Sequence, residues 1–393
     1  MELIKGKVDE MAKDLGAPCL LTLCMIVKNE RENLPRCLAS AQPYVDEIIV
    51  VDTGSNDGTQ EIAAAYGANI RYFKWCDDFA AARNYSISQA TGNWILVLDA
   101  DEELVVTKNE LREQLSSQSE VLAYSLIRTE VNGQEGMTPL YTPRLFRNLP
   151  ELKYVNRFHE QLQYQNQSIQ LHLIGHIQSP IILHYGYAEQ QVLQKNLTRN
   201  IPILESIRKK EGLSLMLLYC LAGMYNATQQ PEQAQECYVE AFERLLPNLI
   251  AGNSPEDFKF VPSLLFTLAG QSLQQKDYET ARLLCQRGLE WYPNFPPINY
   301  ITGFTLIELG FPLAALAYFE KCLLLGQEGS YYKGEPFEFS FTTTEAACGM
   351  GAAYMAMNQL QEAKNAFELA LSFDTSCTVA KHNLDRLGEI LAS

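Results

Sequence analysis

The chain contains the stretch Glu47-Ile48-Ile49-Val50-Val51-Asp52-Thr53-Gly54-Ser55-Asn56-Asp57-Gly58-Thr59, an apolar run that ends in a polar turn. A short β-branched run predicts a buried strand, here Glu47–Val51, and the turn predicts the start of a helix. Three similar runs surround it, at Leu20–Val27, Asn69–Lys74 and Trp94–Leu98. Helical patterns separate the runs, at Glu32–Ala41, Gly58–Tyr66 and Phe79–Ala90. This alternation predicts a mostly parallel sheet covered by helices.

The segment 121–187 has a different pattern, with short strand-like runs separated by turns. We expect it to complete the same domain with antiparallel strands, and we expect a helix from Glu189 to Lys210 to follow. The predicted fold class of this domain is α/β, with a mixed, mostly parallel sheet. It should cover residues 19–211, after a short N-terminal extension of residues 1–18.

Beyond residue 212 the strand signal ends, and helices are predicted up to residue 393. Four predicted helix pairs align on one small residue each, which we call the anchors: Ala234, Ala281, Ala315 and Ala363. The spacings between successive anchors are 281 − 234 = 47, 315 − 281 = 34 and 363 − 315 = 48. Twelve positions before each anchor stands another small residue, Ala222, Ala269, Gly303 or Gly351. The pattern resembles the tetratricopeptide repeat, a helix pair of about 34 residues. It predicts an all-α domain at 212–393 with insertions after the first and third repeats; an irregular helical bundle is the alternative.

The composition excludes several classes of protein. Hydrophobic residues make up 47% and charged residues 20%, as in ordinary globular proteins. The run Leu20–Val27 is too short to span a bilayer, and we expect neither a signal peptide nor a transmembrane segment. The chain has 31 basic and 47 acidic residues, and the resulting net charge of −16 argues against nucleic acid as a partner. Ten cysteines without a Cys-x-x-Cys pair favour a reducing, cytoplasmic location.

Polar side chains follow the predicted strands, at the sheet edge where open α/β proteins bind ligands. They lie in Lys28-Asn29-Glu30, in the turn from Asp52 to Gly58, and in Asp99-Ala100-Asp101-Glu102-Glu103. Asp99 and Asp101 are two residues apart, and in an extended segment their side chains would point the same way. Such a pair suits half of a Mg²⁺ or Mn²⁺ site that a diphosphate completes. The alternative is an acid-rich helix N-terminus.

Four of these motifs, taken in order, resemble those of family 2 glycosyltransferases, which have the A-type, Rossmann-like nucleotide-sugar fold. They are Cys24-Met25-Ile26-Val27-Lys28-Asn29-Glu30, the stretch from Glu47 to Thr59, Asp77-Asp78-Phe79-Ala80-Ala81-Ala82-Arg83-Asn84, and Asp99-Ala100-Asp101-Glu102, a DXD motif. Later motifs, with the repeats, are similar to those of a bacterial subgroup that includes sublancin-type peptide S-glycosyltransferases. They are Pro143-Arg144-Leu145-Phe146-Arg147-Asn148, Phe158-His159-Glu160 and His184-Tyr185-Gly186-Tyr187.

The resemblance implies roles for individual residues. Asp52 should bind the nucleotide base in a pocket lined by Val27 and Glu30, and Ser55 is also assigned to substrate binding. Arg83 should face the nucleotide and diphosphate. Asp99 should lie near the ribose and the metal.

Metal binding and proton transfer complete the implied site. Asp101 should bind Mg²⁺ or Mn²⁺ directly, and His184 is a further candidate metal ligand, with a purely structural role as the alternative. The broad family usually has its base, an aspartate, in a later acidic motif that is not evident here. Glu160 is therefore the candidate general base, and an ion pair with Arg157 or Arg144 is the alternative.

These motifs predict an inverting, metal-dependent transfer of a sugar from a nucleoside-diphosphate donor, a UDP-sugar, to a peptide or glycan acceptor. The repeats should bind the acceptor or a protein partner. One alternative is a non-catalytic repeat scaffold with a degenerate enzyme domain. Another is a sugar nucleotidyltransferase, although that class needs a glycine-rich basic loop after the first strand, and Lys28-Asn29-Glu30 has no glycine.

Overall fold

The computed structural model describes residues 20–107, 111–117, 120–131, 136–255 and 260–392. The chain divides into two compact units. Unit 1 contains the described residues up to 131 and residues 139–209, and unit 2 contains residues 136–138 and the described residues from 210 onward. The predicted N-terminal extension, residues 1–18, lies outside the described residues.

The strands of unit 1 form two sheets. In chain order the strands are β1 (Leu21–Val27), β2 (Glu47–Asp52), β3 (Asn69–Tyr72), β4 (Trp94–Val97), β5 (Glu102–Val105), β6 (Ala123–Glu130), β7 (Leu140–Arg147), β8 (Leu152–Val155), β9 (Gln161–Tyr164), β10 (Gln167–Ser168) and β11 (Ile174–His184). The larger sheet has the order β3-β2-β1-β4-β7-β6-β11-β5, and β8 to β10 form the smaller one. β1, β2, β3 and β4 are parallel, and β7 joins them antiparallel. The predicted mixed sheet is confirmed.

Three helices of unit 1 lie where the sequence predicts them, at Leu34–Ala41, Thr59–Ala65 and Phe79–Ser88, and the helix Leu111–Ser117 was not predicted. The helices of unit 1 are α1 (Leu34–Ala41), α2 (Thr59–Ala65), α3 (Phe79–Ser88), α4 (Leu111–Ser117), α5 (Glu189–Lys195) and α6 (Ile201–Glu211). A turn of π-helix, Asn196–Asn200, joins α5 to α6, so the single helix predicted from Glu189 to Lys210 is interrupted. π-turns of this kind are frequent at functional sites.

The strands β1, β2 and β4 are buried on both faces, which explains why they are predominantly apolar, whereas the edge strand β3 is partly exposed. Side chains alternate between the faces, so Leu23 and Cys24 enter different cores. The core that contains Leu23 is covered by α1, α2 and α4. The core that contains Cys24 is covered by α3 and the smaller sheet. This packing leaves the carboxyl ends of β1, β2 and β4, with their polar loops, at one edge.

Unit 2 is helical in the part of it that the structure describes. Its helices are α7 (Leu215–Ala227), α8 (Pro231–Ala251), α9 (Val261–Gln274), α10 (Tyr278–Trp291), α11 (Pro296–Glu308), α12 (Pro312–Glu328), α13 (Thr344–Ala356), α14 (Leu360–Phe373) and α15 (Thr378–Ala392). Four pairs of neighbouring helices, from α7 with α8 to α13 with α14, correspond to the four predicted repeats. Part of the first predicted insertion extends α8, which has 21 residues. Within the described ranges, no helix is long and apolar enough to span a bilayer.

The anchor residues of the repeats lie where paired helices cross. All four anchors, Ala234, Ala281, Ala315 and Ala363, are buried. Gly303 in α11 lies against Phe319 in α12, and a Cβ at Gly303 would approach the Phe319 ring to 2.5 Å. Gly351 makes the same close approach to Phe367, also at 2.5 Å. The small residue therefore makes room for the aromatic side chain of the second helix.

The replacement Gly303→Ala is expected to destabilise unit 2 by about 1–3 kcal/mol, because the added methyl group overpacks the Phe319 contact. Gly270→Ala is the matched control, since Gly270 also lies inside a helix but has open space around the position of a Cβ. The control should be neutral or stabilising by about 0.5–1 kcal/mol. Chemical denaturation of both variants measures the difference, and equal stability of the two would refute the packing argument.

Candidate active site

The loop after β2 contains a buried carboxylate, that of Asp52, which is 1% exposed. Its Oδ1 accepts hydrogen bonds from the backbone N–H groups of Gly54 at 2.8 Å and Ser55 at 2.9 Å. Gly54 has a φ of 113°, a conformation that favours glycine. In the part of the chain that the structure describes, Oδ2 of Asp52 is buried and has no hydrogen-bond partner. A buried acceptor is seldom left unpaired, so this oxygen marks a place where a ligand donor can bind.

Val27, Glu30 and Ser55 surround the same loop. The carbonyl oxygen of Val27 accepts the backbone N–H of Thr53 at 3.0 Å, which joins the ends of β1 and β2. Ser55 Oγ accepts the N–H of Asn29 at 2.9 Å, so this hydroxyl links two loops. Glu30 is buried, and its Oε1 accepts the hydroxyl of Tyr187 at 2.5 Å. Burial raises the pKa of Glu30.

The Asp-x-Asp segment after β4 is a turn, so the expectation of an extended segment is wrong. The backbone N–H of Glu102 donates to the carbonyl oxygen of Asp99 at 3.0 Å, and the N–H of Asp99 donates to Glu102 Oε2 at 2.8 Å. These two bonds close the turn. The alternative of a helix N-terminus is also wrong, because Glu102 begins β5.

Asp99 is held by two arginines. Its Oδ1 accepts a hydrogen bond from Arg83 Nη2 at 2.6 Å, and its Oδ2 accepts one from Arg144 Nη2 at 2.8 Å. Burial alone would raise the pKa of Asp99, but the two guanidinium groups hold it well below its usual range. Each oxygen of Asp99 therefore already accepts one charge-assisted hydrogen bond from an arginine.

Arg83 lies between Asp99 and the candidate base. Arg83 Nε donates to Glu160 Oε1 at 2.6 Å, so Glu160 pairs with Arg83 and not with Arg157 or Arg144, which were the partners in the alternative interpretation. Arg157 Nε lies 3.9 Å from Asp78 Oδ2. Within the described residues, the Nη1 of Arg83 is buried without a hydrogen-bond partner. This nitrogen is a second polar atom that a ligand can satisfy.

Asp101 and His184 converge at the same edge. His184 Nε2 lies 3.2 Å from Asp101 Oδ2, and His184 Nδ1 lies 2.5 Å from Glu130 Oε2. Burial alone would lower the pKa of His184, but its bonds to Asp101 and Glu130 raise it to about 9. Glu130 is directly opposite His184 in the register of β6 and β11.

A divalent cation fits this pair as half of a site. Among the described residues, no three His, Cys, Asp or Glu side chains are grouped to hold a metal ion by themselves. Asp101 supplies an oxygen and His184 a nitrogen, however, and the second ring nitrogen, Nδ1, lies 2.5 Å from Glu130 Oε2 and 2.7 Å from Arg128 Nη2. A carboxylate behind a histidine is the usual support of a metal-binding imidazole. The remaining ligands would come from water and from phosphate oxygens.

The structure adds three residues to which the sequence assigned no role, Glu102, Arg128 and Glu130. Glu102 is fully buried and lies 3.0 Å from Arg144 and 3.4 Å from Arg128. Arg128 also lies 2.9 Å from Glu130. Acidic and basic groups therefore alternate continuously across the site, in the order Glu160, Arg83, Asp99, Arg144, Glu102, Arg128, Glu130, His184 and Asp101. The two-residue spacing of Arg128 and Glu130, which places them on one face of β6, is a sequence signal that could have indicated them.

Comparisons with known proteins identify both units. The sequence profile of Glycosyl transferase family 2 matches residues 22–162, and that of the tetratricopeptide repeat matches residues 344–377. The chain therefore carries a family 2 glycosyltransferase domain. Of the predicted site residues, only His184 lies outside the matched range of this glycosyltransferase domain. The matched repeat contains α13 and α14.

Several curated proteins are similar to the chain. A TPR repeat-containing protein of Synechococcus elongatus is 46% identical over 186 residues, which are 46% of this chain and 45% of that protein. The SPbeta prophage-derived glycosyltransferase SunS of Bacillus subtilis is 27% identical over 305 residues, 76% of this chain and 69% of SunS. The chain thus spans less than half the length of the Synechococcus protein. A crystal structure of S. aureus TarS is 16% identical with a TM-score of 0.36, over 67% of this chain and 54% of TarS.

Proposed function

We propose that the protein is an inverting, metal-dependent glycosyltransferase that uses a UDP-sugar donor. The observation that carries the proposal is the set of donor-binding groups at one sheet edge. Asp52 offers an unpaired, buried oxygen for a nucleobase N–H, Arg83 offers an unpaired N–H for the nucleotide or diphosphate, and Asp101 with His184 offers half a cation site. The family 2 profile match over residues 22–162 supports the same reaction class.

Mg²⁺ or Mn²⁺ is the cation that we propose for Asp101 and His184. When bound, it supplies positive charge that stabilises the departing diphosphate. Glu130 orients the His184 ring through Nδ1, which leaves Nε2 directed at Asp101. Since the carboxylates raise the pKa of His184 to about 9, His184 would have to lose a proton before Nε2 could hold the cation.

Glu160 is the general base in this proposal. Arg83 binds Oε1 and fixes the carboxylate, and Oε2 accepts the proton of the acceptor nucleophile. The nucleophile forms a bond to the anomeric carbon while the bond from that carbon to the diphosphate oxygen breaks. A single displacement of this kind inverts the configuration at the anomeric carbon, and the diphosphate leaves as the second product.

The repeat unit is proposed to bind the acceptor or a protein partner, because stacked helix pairs present an extended groove. The acceptor class that we propose is a peptide or a glycan. The nine described cysteines are free thiols. This agrees with the reducing, cytoplasmic location that we propose.

Binding of nucleoside diphosphates tests the role of Asp52. Calorimetric titration of the wild-type protein with UDP, CDP, GDP and ADP should show a preference for UDP. Asp52→Asn replaces one carboxylate oxygen by an NH₂ group, so it should weaken UDP binding about tenfold, the cost of roughly one charge-assisted hydrogen bond. Glu61→Gln, at an exposed carboxylate on α2, is the control. Unchanged UDP affinity in Asp52→Asn would remove Asp52 from the base pocket.

A further inference from the structure

The arginines at the sheet edge are already paired with carboxylates. Arg83 binds Asp99 and Glu160 at 2.6 Å each, and Arg144 binds Asp99 at 2.8 Å and Glu102 at 3.0 Å. Arg128 is likewise placed between two carboxylates. A nucleoside diphosphate carries several negative charges, and in a protein of net charge −16 it needs cations that are not neutralised in advance.

Two further cations, Lys195 and Arg199, lie on the helical segment that follows the His184 motif. Lys195 is the last residue of α5, and Arg199 lies in the π-turn. Lys195 Nζ lies 2.9 Å from the centre of the Tyr187 ring. The guanidinium of Arg199 lies 5.3 Å from the centre of the Phe79 ring, at the start of α3. Both cations are therefore held by aromatic faces, which leave their charge unneutralised.

Carboxylates compensate these cations only weakly. Lys195 Nζ lies 3.8 Å from Glu30 Oε1, and this oxygen already accepts the Tyr187 hydroxyl at 2.5 Å. Arg199 Nε donates a hydrogen bond to the neutral side chain of Asn200 at 2.9 Å. Burial and the charge of Arg199 lower the pKa of Lys195, against the opposing effects of Glu30 and Asp101. Two half-buried cations that repel each other are stabilised when an anion binds between them.

Lys195 is also within electrostatic range of the candidate cation site, because the charge of Asp101 acts on it. Tyr187 fixes Lys195 from one side, and Tyr187 is itself fixed by Glu30 from the loop after β1. The segment that carries both cations is thus tied to the sheet edge where the donor is proposed to bind. If Lys195 and Arg199 only packed on the aromatic rings, their apolar stems would be sufficient and their two positive charges would not be needed.

We propose that Lys195 and Arg199 form a phosphate-binding pair that holds the diphosphate of the nucleotide-sugar donor. This inference rests on the proposed function and names two residues outside the motifs and outside the matched range of the family profile. The π-turn Asn196–Asn200 is part of the proposed phosphate-binding site, since it sets the positions of the two cations relative to each other.

Calorimetric titration with UDP and with uridine separates phosphate binding from base binding. Each single variant, Lys195→Gln or Arg199→Gln, should weaken UDP binding about tenfold, and the double variant about a hundredfold. Uridine binding should stay within about twofold of wild type, because it has no phosphate. Lys209→Gln, at an exposed lysine on α6, is the matched control and should bind both ligands as wild type does. The titrations are run with EDTA and again with Mn²⁺, and thermal unfolding of each variant checks that it folds.

The outcomes separate this inference from the proposed function. If the wild-type protein binds UDP more tightly than uridine and the double variant keeps that ratio, the phosphate-binding pair is refuted and the donor site stands. If the wild-type protein binds neither ligand with or without Mn²⁺, the proposed function is refuted and the pair with it. If the double variant fails to fold, the single variants are tested by competition of inorganic pyrophosphate against UDP. We expect pyrophosphate to compete less well in the single variants than in the wild type. Unchanged competition would contradict the phosphate-binding pair.

Discussion

Asp101→Ala is expected to remove metal-dependent donor binding and to lower the transfer rate by about a hundredfold to a thousandfold. The substitution deletes the oxygen that lies 3.2 Å from His184 Nε2, so the proposed cation would retain one protein ligand. Loss of the cation removes the charge that stabilises the departing diphosphate, which accounts for an effect of this size. Titration of the variant with Mn²⁺ in the presence of UDP measures the loss directly.

Glu103→Gln is the matched control for this variant. Glu103 lies two residues further on, and its carboxylate accepts the hydroxyl of Tyr185 at 2.6 Å and contacts no member of the charged network. It should bind Mn²⁺ and UDP as the wild type does. Thermal unfolding of both variants shows whether unit 1 stays folded. If Asp101→Ala binds Mn²⁺ with wild-type affinity, the cation site lies elsewhere.

Glu160→Gln is expected to lower the transfer rate by about 10²- to 10⁴-fold while it leaves donor binding nearly unchanged. The amide oxygen of glutamine can still accept the hydrogen bond of Arg83, so the local geometry is kept, but the side chain no longer takes a proton. Initial rates of sugar transfer, together with UDP affinity, separate the two effects.

Glu61→Gln, at an exposed carboxylate on α2, is the control for Glu160→Gln and should transfer sugar at the wild-type rate. A Glu160→Gln variant with full transfer activity would show that another group is the base. A variant that loses UDP binding and transfer equally would assign Glu160 the structural role of holding Arg83.

The local part of the fold could be predicted because periodicity and turns are local properties. The apolar runs and the helices between them lie within a few residues of their predicted positions, and the small anchors of the repeats are buried as expected. The π-turn Asn196–Asn200 could not be predicted, because the sequence there continues a helical pattern. The length of α8 was also missed, since an insertion between repeats does not show whether it extends a helix.

The site could be predicted only in part. Asp52, Arg83, Asp99 and Asp101 are carried by short motifs at strand ends, and those motifs are visible in the sequence. The pairing of Glu160 with Arg83 joins residues 77 positions apart, and no local pattern encodes it. Glu130 meets His184 only because β6 and β11 are neighbours in the sheet. The turn at Asp99 is closed by the buried side chain of Glu102, so spacing alone predicted an extended segment where the chain turns.

The central claim, that the domain is an active, metal-dependent UDP-sugar transferase, is tested most directly by the rate of UDP release. Wild-type protein is incubated with a panel of UDP-sugars and Mn²⁺, and parallel reactions contain EDTA. We predict release of UDP from at least one donor with Mn²⁺, and a rate at least about a hundredfold lower with EDTA. Release at the same rate in EDTA would contradict the metal dependence. Absence of release and of binding for every donor, with or without Mn²⁺, would contradict the claim itself.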